Sequence, residues 1–406
     1  MTNPMAQDSN HAIVFGAAGL LGWSAVNQLL SGYPTSSSFY RVTAVLNRSV
    51  PEPELHWPSP GPDRPQLQIV SGVDLLQGTG NDLAKQLKEK VNGVEQITHV
   101  FYFVFASLNE DPIKECAQNC DMMQRLADAL NMVAPNLQTF VYSGGTRGYG
   151  IYIPGGIFQP PLLESMADNL PDDYAKTVAY PWFRKILTES SKGRSWTWTE
   201  VCPDVVVGFT PNGSAFSLTL HWAQYLSLYA YNHGIRLNDT AGPNRDEVEV
   251  PFPGNEAGYR SLLTPVSEKT LGRIAIHAAL NPDQCGQQII NMVDNDRPVS
   301  FSELWPAIAD WFGLKGVGPS QAGDALKPGE YVAKFRHLFT ENGRPKGVTC
   351  GVGAGSAQLD SVGWWLCFDR HLSSERLRGV GFTEQRDPVE GWLDAFERFR
   401  KAGIIL

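Results

Sequence analysis

The sequence predicts an α/β fold, a doubly wound parallel sheet with a smaller, mostly helical C-terminal lobe. Near the N-terminus an apolar strand, a glycine-rich turn and a helix pattern follow one another directly. Strand-like and helix-like segments then alternate through the first half, the signature of a parallel sheet with crossover helices. From about residue 206 the texture becomes helical and aromatic. The expected division is therefore 1–205 for the sheet domain and 206–406 for the lobe, with 288–293 returning to the sheet. A chain of 406 residues, 42% hydrophobic and 11% aromatic, has ample material for a sizeable core.

The elements read in order. Residues 12–15 form an apolar run typical of a strand buried on both faces. Gly16, Gly19 and Gly22 follow with G-x-x-G-x-x-G spacing, and Leu20, Leu21, Ala25, Leu29 and Leu30 recur at helical spacing, predicting a helix over 22–31. Such a turn presents unpaired N–H groups and the positive end of a helix dipole to a pyrophosphate, and glycine permits the close backbone approach. Gly16, Ala18, Gly19, Leu20, Leu21 and Gly22 are thus candidate dinucleotide contacts. The alternative is a glycine-rich turn of some other α/β fold. Further strands are expected at 41–46, 66–70, 97–105 and 138–142, with helices over 81–91 and 113–133 between them. Six prolines between 51 and 65 mark a surface loop. Helices follow at 217–233, 267–280 and 301–312, and five glycines in 343–356 predict a flexible loop.

A net charge of −9 argues against a nucleic-acid partner, which would require a basic face. The six cysteines form no C-x-x-C pair and no zinc-spaced cluster, so no metal site is expected and the thiols read as reduced. The N-terminus is polar, and no apolar run reaches the ~18–20 residues of a membrane span. The expectation is a soluble cytoplasmic protein without a membrane partner, with a homodimer left open.

Six segments in register resemble the progesterone 5β-reductase/iridoid synthase-like (PRISE) family of extended short-chain dehydrogenases/reductases. They are the Gly16–Gly22 turn, Thr98-His-Val-Phe-Tyr102, Tyr142-Ser-Gly-Gly-Thr-Arg-Gly-Tyr149, Thr177-Val-Ala-Tyr180-Pro-Trp, the Trp198-to-Pro211 stretch and Pro251-Phe-Pro-Gly254; a seventh stretch, the terminal Lys401-Ala-Gly-Ile-Ile-Leu406, also fits. Cys202 stands where that family usually has arginine. The resemblance implies an NAD(P)-binding Rossmann-type sheet and a substrate-binding lobe.

After the second strand come Asn47, Arg48 and Ser49. An acidic residue there would bind the ribose 2′-OH of NAD, whereas an arginine suits the 2′-phosphate of NADP in bidentate fashion. The expected cofactor is NADP(H). An exposed loop arginine is the alternative. Asp74 and Leu75 follow the third strand, where the resemblance puts an aspartate beside the adenine amine; a strand-end cap is the other reading. Phe103, Val104 and Phe105 would run along the ribose and nicotinamide, unless they are plain core.

The resemblance assigns Tyr180 as proton donor or oxyanion stabiliser, helped by a lysine; an ordinary aromatic core residue is the alternative. Here that position holds Arg147, and the position used by classical short-chain dehydrogenases holds Arg184. Lys185 points off the Tyr180 face. Arginine is bulkier, planar and never neutral, so the exchange is not conservative. Ser143 and Thr146 lie where related enzymes bind the substrate oxygen; the alternative is that both merely satisfy turn amides. Candidate pocket walls are Phe105, Tyr149, Tyr152, Phe158, Trp182, Phe216, His221, Trp222 and Tyr225, some of which would serve as lobe core. The expected function is NADPH-dependent reduction of an activated C=C or C=O in a hydrophobic metabolite of terpenoid, polyketide or alkaloid type. The alternative, supported by Arg147, is a redox-neutral cyclase or isomerase with the cofactor structural or recycled. A non-catalytic nucleotide sensor is a third reading, disfavoured by Tyr180 and the aromatic pocket.

Overall fold

The computed structural model describes residues 10–108, 111–236, 248–320, 327–351 and 356–406. Its central sheet comprises β1 (His11–Phe15), β2 (Arg41–Leu46), β3 (Gln66–Ser71), β4 (His99–Tyr102), β5 (Thr139–Ser143), β6 (Thr197–Pro203) and β7 (Gln288–Met292). The order is β7-β6-β5-β4-β1-β2-β3 and every pairing is parallel. The two-residue period of a strand separates two cores. Ala12 and Val14 of β1 and Phe101 of β4 face one core, and Ile13 and Phe15 with Val100 and Tyr102 face the other. Helices α1 (Leu20–Leu30) and α6 (Glu268–Leu280) cover the first face. Helices α2 (Gly80–Lys90), α3 (Pro112–Val133) and α4 (Tyr180–Ser191) cover the second. The strand order reverses at β1 and β4, and a crevice opens at their carboxyl ends, as this topology requires.

A third core fills the lobe between α5 (Leu218–Asn232), α7 (Phe301–Asp310) and α8 (Pro388–Lys401). Trp222 stands at its centre. Its ring stacks on Trp392 at 5.3 Å and meets Phe301 edge-on at 5.1 Å. Although the sequence order puts α6 beside the lobe, it packs on α1 and belongs physically to the sheet half.

Three elements differ from expectation. The fourth strand ends at Tyr102, and residues 103–105 leave the sheet to wall the crevice. The proline-rich loop contains one helical turn, Glu52–Leu55, whose buried Leu55 carbonyl accepts the Trp23 indole N–H at 2.6 Å. Within the glycine-rich 343–356 segment Lys346–Thr349 is helical, while 352–355 lie outside the described residues.

Candidate active site

Two cavities open at the crevice and share the wall Phe103–Val104–Phe105. The first, about 400 Å³, lies over the glycine turn. Gly16 has φ +75°, and a Cβ there would lie 2.5 Å from the Phe103 carbonyl oxygen, so only glycine lets the turn reach β4. A Cβ on Gly22 would collide with the Gly16 carbonyl, so α1 also starts against a bare backbone. The N-cap is Gly19, and no side chain caps the first-turn amides of α1. Uncapped amides at the positive end of a helix suit a pyrophosphate. Gly16, Ala18, Gly19, Asn47, Arg48, Asp74, Leu75 and Phe103 line this cleft. Leu20 and Leu21 open instead into the second cavity, and Ser49 and Gly22 line neither.

Arg48 is exposed and makes no hydrogen bond or ion pair among the described residues. Its guanidinium is therefore at liberty on the rim of the cleft. Asp74 accepts the Leu76 N–H at 2.8 Å, so it builds its own turn while lining the cleft. Asn212 and Gly213 close the cleft from the far side; they directly follow the Gly208-Phe-Thr-Pro211 motif, a signal that could have exposed them.

The second cavity, about 310 Å³, brings Ser143, Arg147 and Tyr180 together. Tyr180 is the first residue of α4, and its ring lies against Gly148, where a Cβ would come within 3.1 Å. Its hydroxyl has no hydrogen-bond partner among the described residues and faces the cavity. Burial pushes the Tyr180 phenol above the ordinary tyrosine range, and the Arg147 charge only partly opposes it. At neutral pH it is a proton-bearing donor.

Arg147 sits in the short helical turn Thr146–Tyr149 after β5. Its Nη1 pairs with Glu115 Oε1, and its Nη2 donates to the Thr177 carbonyl at 2.6 Å. Its guanidinium also lies over the Tyr152 ring, 5.3 Å from the centroid. Arg184 is spoken for elsewhere: it pairs with Glu200 at 2.7 Å and Asp168 at 3.5 Å and does not line the cavity. Lys185 lies over the Trp182 ring. Ser143 Oγ donates to the Gly144 carbonyl at 2.9 Å, and Thr146 donates to Asp204, which in turn pairs with buried Arg370 at 3.2 Å.

Among the expected walls, Phe105, Tyr152 and Phe216 line the cavity. Tyr149 does not; it is buried in the sheet core and donates to Asn291 Oδ1 at 2.7 Å. Trp182 is on the exposed side of α4, its indole N–H reaching the Ala175 carbonyl at 3.3 Å. His221 is buried against Asp360, Nε2 to Oδ1 at 2.7 Å, and Trp222 centres the lobe core. Tyr225 packs on Tyr331 at 5.3 Å, and Phe158 packs against the first sheet core. Each is satisfied by a partner inside the fold rather than turned to the cavity. Further apolar wall comes from Ile151, Val205, Val206 and Leu218 and from a strap that sequence reasoning missed, with Gln358, Leu359, Val362, Trp365 and Leu366. The strap is held by Gln358 donating to Tyr152 Oη at 3.1 Å and by an edge-on Tyr152–Trp365 contact at 5.1 Å.

A phenol with no partner among the described residues, beside a half-buried guanidinium in an apolar cavity adjoining a dinucleotide-shaped cleft, defines an oxidoreductase-type site of the extended short-chain dehydrogenase class. The chain belongs to the PRISE-like Rossmann-fold family, whose model matches residues 12–406. It is 31% identical to the short chain dehydrogenase ausT of Aspergillus calidoustus, over 99% of this chain and 96% of that one. It is 22% identical to a 3-oxo-Δ4,5-steroid 5β-reductase of Arabidopsis thaliana, over 96% and 92% of the two chains. A GDP-mannoheptose C4 reductase from Campylobacter jejuni, solved with NADP bound, shares the fold with a TM-score of 0.58 at 14% identity, over 97% of this chain and 99% of that one. Among the described residues no helix is long and apolar enough to cross a membrane.

Proposed function

We propose that the protein is an NADPH-dependent reductase of an activated C=C or C=O in a hydrophobic secondary metabolite. The observation that carries this reading is the Tyr180 hydroxyl, without a hydrogen-bond partner among the described residues and set in an apolar cavity one wall away from the dinucleotide cleft. NADPH, when bound, supplies the two electrons and the hydrogen of the reduction. The Gly16–Gly22 turn and the first turn of α1 would hold its pyrophosphate, and Arg48 with Asn47 its 2′-phosphate. Phe103, Val104 and Phe105 separate the two cavities and would align the reacting faces.

The cavity excludes water with Phe105, Phe216, Leu359, Val362 and Trp365 and orients a large apolar scaffold. Tyr180 donates a hydrogen bond to the substrate oxygen as negative charge develops there, in a site where such a donor is worth far more than in water. It then gives up its proton to the enolate or alkoxide. Support for a hydrophobic substrate comes from these walls and from the name of the steroid reductase relative. All six cysteines are free thiols, which supports a reducing, cytoplasmic setting.

A redox-neutral cyclase or isomerase is the second reading. It is favoured by Arg147, a planar fork of donors, in place of lysine. Measuring product mass together with NADPH consumption separates the two.

A further inference from the structure

We infer that Glu115 is a positioning residue of the active site: its carboxylate fixes Arg147 and offsets part of its charge beside Tyr180, so that Arg147 does not undo what burial does in keeping Tyr180 a neutral phenol. The inference rests on the reading of Tyr180 as the group that meets the substrate oxygen.

A glutamate in the first turn of a helix is ordinarily a solvent-facing partner of the dipole. Glu115 occupies the first turn of α3 but is buried. A buried carboxylate persists only where it is paired and hydrogen-bonded. Its Oε1 takes Arg147 Nη1, and its Oε2 accepts the Leu108 N–H at 2.7 Å and Ser107 Oγ at 3.2 Å. One helical turn on, Asn119 binds both backbone groups of Ala106, at 2.8 and 2.9 Å. The start of α3 thus holds the end of the wall shared by the two cavities and the arginine of the second.

The charged and titratable groups that face Tyr180 are Arg147 from the turn after β5, Tyr152 from the loop beyond it, and Glu200 and Cys202 from β6. Glu200 is already matched by Arg184 and the Tyr142 hydroxyl. Arg147 in turn faces Glu115, Tyr152 and Tyr180, with Tyr174 bound to its carbonyl and Cys116 beside Glu115 on α3. Arg147 is the one cation in this described set, and a lone cation there would draw the phenol toward tyrosinate. Paired with Glu115 it presents a reduced charge, and burial keeps the phenol protonated against what remains. It still holds the Thr177 carbonyl, and so the approach to α4 and Tyr180.

The test is the ionisation of Tyr180 in Glu115→Gln, which keeps the shape and an acceptor for Leu108 but loses the charge. Tyrosinate absorbance is compared between each protein and its matched Tyr180→Phe variant, at the highest pH where circular dichroism shows all of them folded. The Tyr180-specific tyrosinate fraction should rise about tenfold in Glu115→Gln, one unit of pKa. In the double variant Glu115→Gln/Arg147→Gln, where the pair is again neutral, it should return to the wild-type fraction. No Tyr180-specific rise in Glu115→Gln, or a rise that survives in the double variant, would overturn the inference. If Glu115→Gln does not fold, Glu115→Asp carries the test. Its retracted carboxylate loosens the hold on Arg147, the fraction should rise by a smaller factor, and no rise overturns the inference. None of these readouts needs a substrate, so they can fail while the reductase reading stands.

Discussion

Arg147, on the wall of the cavity that Tyr180 lines, forms an ion pair with the buried carboxylate of Glu115. The position that a family lysine would occupy therefore holds a compensated arginine. This relationship separates the present site from a simple tyrosine–lysine arrangement and sets what the tyrosine can do.

Tyr180→Phe keeps the ring and removes only the donor. Turnover should fall by roughly 10²–10³, as for one lost oxyanion-hole hydrogen bond. Affinity for NADPH should barely move. A variant within threefold of wild type would mean that Tyr180 is simply packed at the start of α4.

The pH dependence follows from the same residue. A donor must carry its proton, and burial raises the Tyr180 pKa above the usual phenol range. The donor form is therefore complete at neutral pH and is lost only as pH rises through that elevated value. The kcat/KM profile should show no falling limb from this group between pH ~7 and ~9. A falling limb centred in that window and absent from Tyr180→Phe would contradict the assignment.

Arg48 lines the first cleft, exposed and without a partner among the described residues. Losing a bidentate phosphate contact costs on the order of 1.5–3 kcal/mol, so Arg48→Ala should weaken NADPH by that amount and leave NADH nearly unchanged. Fluorescence titration of both cofactors measures it. Equal wild-type affinity for the two would remove the case for NADP.

Trp222 and Phe216 distinguish core from wall. Trp222→Ala deletes the centre of the lobe core and should cost about 3–5 kcal/mol in denaturant unfolding. Phe216 is 48% exposed and lines the cavity, so Phe216→Ala should change stability by no more than about 0.5 kcal/mol. Its KM should rise roughly fivefold from lost apolar contact. Equal effects of the two substitutions on unfolding would refute this division.

The parallel sheet and its glycine turn were legible because strands buried on both faces read as apolar runs, unbroken at 12–15 and interrupted only by Thr43 at 42–46. β6 was not read as a strand. It carries Thr199, Glu200 and Pro203, and its polar groups are satisfied only in three dimensions, Glu200 by Arg184 and Tyr142, Thr199 by the Cys285 carbonyl. Tyr180 and Arg147 were singled out by register with family motifs, and the structure puts both on the second cavity. Glu115 gave no signal, because burial, not residue type, sets it apart from any first-turn glutamate. On α5 nearly every side chain is buried, so no face marked His221 and Trp222 as core. The strap residues Gln358 and Trp365 carry no motif and reach Tyr152 from some 200 residues away in the chain.

The central claim is that the cavity around Tyr180 reduces its substrate at the expense of NADPH. The most direct test follows product mass and NADPH absorbance in the same reaction, with hydrophobic enones and enals as substrates. The account predicts a product heavier by two hydrogens, with one NADPH oxidised per turnover, and loss of both signals in Tyr180→Phe. A product isobaric with the substrate, formed while NADPH absorbance stays constant, would contradict it and establish the redox-neutral reading instead.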